Sequence, residues 1–213
     1  MPDLYGWAAA HADLIGRTTQ EHVILASSAL AIVLALALPL GILFAGREHL
    51  AAPAIGIANT LRTIPSLALL VIMLPVLGTG FLPSVVALAL YGLPAVLVNT
   101  VAGLRQVDAD VIEAARGQGM SERGILRRVT LPLALPTIMA GIRTAAVQIV
   151  SAATLAVFIG GGGLGELISS GLGLMDMAQL TTGALLVAAL ALATELGLGG
   201  LQGALARRFG LAA

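Results

Sequence analysis

The sequence predicts an all-α integral membrane protein with about five transmembrane helices, the N-terminus outside and the C-terminus inside. Three observations carry that prediction. Of 213 residues, 58% are hydrophobic and only 10% are charged, against roughly 25% charged in a soluble domain. Residues 23–46 and 63–104 hold no charged side chain at all, and about 20 apolar residues suffice to cross the hydrocarbon core as a helix. The arginines are also unevenly placed: Arg47, the cluster between Arg105 and Arg128, and the pair Arg207-Arg208 fall on one set of connections, and Arg17 alone on the other. Positive charge collects on the cytoplasmic side, which sets the orientation.

Taken in order, residues 1–22 mix Leu4, Tyr5, Trp7, Leu14 and Ile15 with Asp3, His11, Asp13 and Arg17. That composition reads as a short helix lying in the membrane interface, where Trp and Tyr settle. It lacks a basic start, so a cleavable signal peptide is not expected. A single membrane domain over 23–206 follows, with spans at about 23–46, 54–77, 81–104, 132–159 and 177–206. Each must be helical, because unpaired backbone groups cannot face lipid. The turn Gly78-Thr79-Gly80 separates the second span from the third, the charged stretch 105–131 separates the third from the fourth, and 207–213 forms a cytoplasmic tail.

Several function classes are excluded by the residues available. The chain has no cysteine, so neither a disulfide framework nor a thiolate metal site can form. All eleven basic residues are Arg, and a nucleotide-binding P-loop ends in Gly-Lys-Ser/Thr, so this chain binds no ATP through such a loop. Residues Gly160 to Gly165 match G-x-G-x-x-G, but a dinucleotide fingerprint follows a strand in a soluble unit, which this segment does not. The histidines His11, His22 and His49 lie outside the expected spans and form no H-E-x-x-H zinc site. No Asp lies within a span, so paired aspartates are missing as well. No catalytic residue, metal or bound cofactor is therefore expected, and a formal net charge of zero gives no argument for nucleic acid.

The charged interruption carries helix punctuation. Asp110 and Glu113 have the spacing of a capping box, with the strong helix formers Ala114 and Ala115 behind them. Gly119 suits a left-handed helix end, Ser121 suits the cap of a second short helix over 122–129, and Pro132 suits the opening of the next span. Two short helices joined at Gly119 are the expected result. Such an element either fixes topology as a plain linker or, through its small residues, offers a close-approach docking surface.

Glu113-Ala114-Ala115, then Gly119 after three residues, then Val129 and Leu131-Pro132 closely resembles the EAA loop of binding-protein-dependent ABC importer permeases, whose pattern usually has Ile at the place of Val129. The resemblance extends over most of the chain. Thr19-Gln-Glu-His22, Asn59-Thr-Leu-Arg-Thr-Ile-Pro-Ser66 and Phe158-Ile-Gly-Gly-Gly-Gly-Leu-Gly165 look like permeases of the glycine betaine, choline and carnitine subgroup, where Gly161 is usually Ala. The resemblance implies a coupling-helix pair at Glu113, Ala114, Ala115, Gly119, Val129, Leu131 and Pro132 that docks on a separate ATPase subunit carrying ATP and Mg. It implies a second permease copy or homologue, an extracytoplasmic substrate-binding protein, and a place in the bacterial inner membrane. It also implies a gating segment near the outer mouth around Gly162 and Gly163, which the residues alone would allow as a flexible turn.

Polar groups at membrane depth complete the expectations. Asn59, Arg62, Thr63 and Ser66 gather beside Pro65, either lining a translocation path or subunit interface, or anchoring the cytoplasmic end at a proline kink. Arg143 is followed by Thr144, Gln148 and Ser151 at helical spacing, a stripe expected at a pore or subunit contact. Glu195 is available to offset an arginine, and Glu166 and Asp176 fall in outer loops where a binding protein would meet them. Aromatic residues make up only 3% of the chain, too few for the aromatic cage that quaternary ammonium ligands favour, so primary selection is expected in the binding protein. The alternatives are a permease for amino acids such as methionine, or a secondary transporter or channel using Arg62 and Glu195.

Overall fold

The structure is a computed structural model that describes residues 4–210, and no strand occurs among them. A short helix, α1 (Leu4–Ala10), leads into the long α2 (Ala12–Ala45), and at their junction the Trp7 and His11 rings stack at 4.3 Å. The stretch expected as one interfacial segment over 1–22 is thus divided: residues 1–3 lie outside the described part, and Ala12 to His22 form the first turns of the spanning helix. The reason is a continuous inward stripe. Thr18, His22, Leu25, Ala29, Val33 and Ala37 are buried at three- and four-residue steps, so the face that buries α2 begins well before residue 23.

The second expected span is two helices. α3 (Glu48–Leu61) and α4 (Ser66–Leu77) meet at 93°. Helices of these lengths reach only about 20 Å each, so neither crosses the roughly 30 Å core alone. Pro65 causes the break: it supplies no N–H and disfavours helix at the residue before it, and the chain turns at Arg62 to Ile64.

α5 (Phe81–Arg105) is the most deeply buried span and lies between α2 and α8 (Leu131–Ala152). Leu88 and Val96 of α5 share one core with Leu25 and Val33 of α2 and Ile149 of α8. Small residues allow this approach, as in other membrane helix pairs: a Cβ at Gly141 on α8 would lie 2.8 Å from the Ala95 carbonyl oxygen on α5.

Beyond α8 a tighter 3-10 segment (Ala153–Ile159) leads to the glycine run, the short α9 (Gly165–Gly173) and the long α10 (Met177–Arg208). The Asp176 carboxylate caps α10 by accepting from the Ala178 and Gln179 amides at 3.0 and 3.1 Å. α10 lies at the periphery against α8 and α9, and its buried residues are confined to its first two turns. Four helices are long and apolar enough to cross a membrane, five with the bent pair counted as one span. This agrees with the expected all-α membrane architecture.

Candidate coupling loop and translocation path

The charged interruption folds as a helix, a glycine joint and a second helix. α6 (Ala109–Gly117) is capped by Asp108, whose carboxylate accepts the Asp110 N–H at 2.9 Å. The cap expected at Asp110 therefore sits two residues earlier, because Asp108 has the extended backbone a cap requires and Asp110 is already helical. Gly119 turns the chain with φ +82°, a left-handed conformation that costs an L-residue about 1–2 kcal/mol. Ser121 then caps the next helix, its Oγ accepting the Gly124 N–H at 3.2 Å.

That second helix is not a separate short piece. α7 (Glu122–Ile125) passes through a wide π-turn (Leu126–Thr130) directly into α8, so Glu122 to Ile159 is one 38-residue run. Pro132 explains the wide turn. It lacks an N–H and its ring crowds the carbonyl four residues earlier, and the Leu131 N–H reaches back five residues to Leu126 O, the signature of a π-bulge. At about 1.5 Å per residue the run is far longer than the hydrocarbon core, so Glu122 and its neighbours stand clear of the bilayer.

Across the joint, Arg116 Nε donates to Glu122 Oε1 at 2.8 Å. This hydrogen bond, with the arginine charge, holds the Glu122 carboxyl below its ordinary range and raises Arg116 further. Glu113, Ala114 and Gly119 are exposed, while Ala115 is buried and Val129, Leu131 and Pro132 are half-buried. Of the small pair, only Ala114 presents its side chain outward; Ala115 packs inside the loop. The opposite charges flanking a glycine joint were the sequence signal for the Arg116–Glu122 bridge.

The polar residues near Pro65 sit at the bend between α3 and α4. Asn59, Arg62 and Thr63 are exposed and Ser66 is half-buried. Arg62 donates to the Pro94 carbonyl of α5 at 3.4 Å, and Thr63 Oγ1 bonds back to Thr60 O. On α8, Thr144 and Ser151 are exposed and Gln148 half-buried along one outer stripe. Arg143, one residue from that stripe, is engaged elsewhere: it pairs with Glu195 and donates to Gln202 Oε1 at 2.8 Å, both on α10. Gly199, between them on the same helix face, lies beside the guanidinium, and a Cβ there would make only an ordinary contact, 3.5 Å from Arg143 Cζ. Gln202 also donates to the Pro136 carbonyl at 3.3 Å.

At the opposite end from the charged loop, the glycine run packs on the Gly78–Gly80 turn and on the start of α2. Gly160 and the Gly78–Gly80 turn meet, with the Gly80 N–H donating to Ile159 O at 2.7 Å. The Gly163 N–H donates to Glu21 Oε2 at 3.1 Å. Arg17 bridges Glu21 and Glu166, each at 3.2 Å. His22, expected outside the spans, is fully buried and donates from Nε2 to the Val150 carbonyl at 2.9 Å. The Arg17–Glu21 spacing was legible on one helix, but nothing local points to Gly163 or Glu166. No cluster able to hold a metal ion occurs among the described residues.

Known proteins share this fold. The profile of the family described as binding-protein-dependent transport system inner membrane component matches residues 19–210. The chain is 42% identical to the carnitine transport permease protein OpuCB of Listeria monocytogenes, over 86% of this chain and 84% of that protein. It is 41% identical to the choline transport system permease protein OpuBB of Bacillus subtilis, over 83% and 82%. In fold it is similar to a chain of the inward-facing MetNI methionine ABC transporter, with a TM-score of 0.81 at 23% identity, covering 96% of this chain and 99% of that one. With multiple apolar spans, the charged loop in place and this likeness over nearly its whole length, the chain belongs to the family of binding-protein-dependent transport system inner membrane components.

Proposed function

We propose that this inner-membrane permease forms the translocation path of an ATP-driven importer for quaternary-ammonium osmoprotectants of the glycine betaine, choline and carnitine class. The substrate class rests on the relatives' names. One observation carries the mechanism: the exposed Glu113–Ala114 face is joined through Gly119 to a helix that runs unbroken from Glu122 into the fourth span. A push on such an element moves the span with it, since a helix transmits displacement along its axis. The coupling face comprises Glu113, Ala114 and Gly119, with Ala115, Val129, Leu131 and Pro132 setting its shape. ATP and Mg belong to a separate ATPase subunit, because this chain has no lysine for a P-loop.

The permease would work in a membrane dimer with a second copy or a homologous permease. Its coupling loop faces the cytoplasm, and its glycine run faces an extracytoplasmic binding protein. The exposed polar groups Asn59, Arg62, Thr63 and Ser151, with the half-buried Gln148, are the candidates for the path, and Gly162 and Gly163 for its outer gate. ATP binding would turn the cavity outward to receive cargo, and hydrolysis with release would turn it inward.

The test reconstitutes the chain with its co-purifying ATPase and with a binding protein offered glycine betaine, choline, carnitine or methionine. ATPase stimulation by the quaternary ammonium ligands and not by methionine is the expected result. Stimulation by methionine alone would reassign the cargo, and no stimulation by any loaded binding protein would overturn the importer reading.

A further inference from the structure

Two sequence elements that the coupling mechanism leaves unused, Thr19–His22 at the start of the first span and the glycine run after the fourth, touch each other in the fold. The contact is specific on several counts. Glu21 Oε2 accepts the Gly163 N–H at 3.1 Å, and a Cβ at Gly162 would come within 2.9 Å of that same oxygen. A Cβ at Gly163 would lie 3.1 Å from His22 Nδ1. Both glycines have positive φ, +73° and +89°. The loop thus lays bare backbone on one turn of α2, closer than side chains would permit. Arg17 adds a bridge from Glu21 to Glu166 on the far side of the loop, at 3.2 Å to each.

These contacts fall into two kinds. The His22–Val150 bond is fully buried and ties α2 to α8, so it serves as a fixed anchor. The Arg17, Glu21 and Glu166 side chains are 56%, 35% and 36% exposed, so water competes for every bond they make and the group separates readily. The carboxylate and guanidinium charges have partners in water once the loop leaves, and the vacated Gly163 N–H can be solvated.

We propose that Arg17 and Glu21 are positioning residues that latch the Gly160–Gly165 loop shut on the first span, and that this latch must open once in each transport cycle. The inference rests on the importer reading above and adds residues of the N-terminal segment to its outer gate. Glu21 holds the loop backbone through Gly163, Arg17 holds the following helix through Glu166, and His22 keeps the supporting turn of α2 in place while the loop moves.

The test uses the complete complex in proteoliposomes. Uptake by the unaltered complex is measured first; its absence would count against the importer reading and not against the latch. Because the chain has no cysteine, Arg17→Cys with Glu166→Cys gives a unique pair for a short reducible bis-thiosulfonate linker. Uptake is expected to stop when the pair is linked and to return on reduction. Undiminished uptake in the linked protein would overturn the proposal. In parallel, Glu21→Ala is expected to raise ATPase activity without binding protein by at least about 5-fold, the lower end of typical coupling between sites, with Glu21→Gln in between because its amide oxygen still accepts the Gly163 N–H. A merely structural role would lower assembly with the ATPase and leave this basal rate unchanged in the assembled fraction, which would equally overturn the latch.

Discussion

Arg116 and Glu122 meet across the Gly119 joint, Nε to Oε1 at 2.8 Å, so the two helices of the charged loop are pinned to one another by an ion pair as well as by the turn. If the loop transmits a push, the pin keeps α6 from swivelling about the glycine. Arg116→Ala should lower ATP-driven uptake severalfold with little change in the amount of assembled complex. The exchange Arg116→Glu with Glu122→Arg should recover most of it, and a failure of the exchange to recover uptake would assign the arginine another task. The folded-state lowering of the Glu122 carboxyl means its bridge is intact above the ordinary glutamate value and is lost only as pH falls through the lowered one. Coupling should therefore survive acidification that protonates a free glutamate.

Gly119 gives a second test of the proposed coupling role. At φ +82° an alanine would cost about 1–2 kcal/mol, and the loop would relax to another turn sooner than bear it. Gly119→Ala should abolish uptake while membrane insertion persists, as should Glu113→Ala through loss of the exposed docking acid. Gly119→Asn should be milder, since Asn visits the left-handed region more readily. Normal uptake in both Gly119→Ala and Glu113→Ala would remove the loop from the mechanism.

The Arg143–Glu195 pair fastens α10 to α8 within the membrane span. Polar bonds between membrane helices are worth about 0.6 kcal/mol on average, with a maximum near 1.7, and removing one charge leaves the other stranded. Thermal unfolding in detergent should therefore show Arg143→Leu and Glu195→Leu each less stable than the double variant Arg143→Leu/Glu195→Leu. A loss in the double variant equal to the sum of the two single losses would mean that the residues act independently.

The fold gives a reason for glycine at position 161. A Cβ there would lie 2.3 Å from Ser84 Oγ and 2.8 Å from Ala156 Cβ, and Ser84 Oγ already donates to Gly80 O at 2.7 Å. Gly161→Ala should lower the melting temperature by about 2–4 °C per kcal/mol lost for a chain of this size. Adding Ser84→Ala should recover part of that loss. Full additivity of the two losses would show that the contact is not shared.

The sequence by itself determined the class of the protein and the place of its charged loop. Spans without charge can only be buried in lipid as helices, and the spacing from Glu113 to Pro132 contains the caps and the joint that shape the loop, all of them local effects readable within a few residues. Local reading failed where one helix continued into another. Nothing between Ala12 and Ala45 stops the first helix, and the π-turn lets α7 pass Pro132, so two expected boundaries disappeared.

Tertiary structure alone decided the long-range partners. Arg143 faces Glu195 and Gln202 because α10 lies beside α8, Arg62 meets the Pro94 carbonyl at the 93° bend, and Glu21 receives an amide 142 residues away. Such pairings depend on which helix faces pack together, a choice made by the summed burial of small and apolar residues over whole helices. No single motif records it.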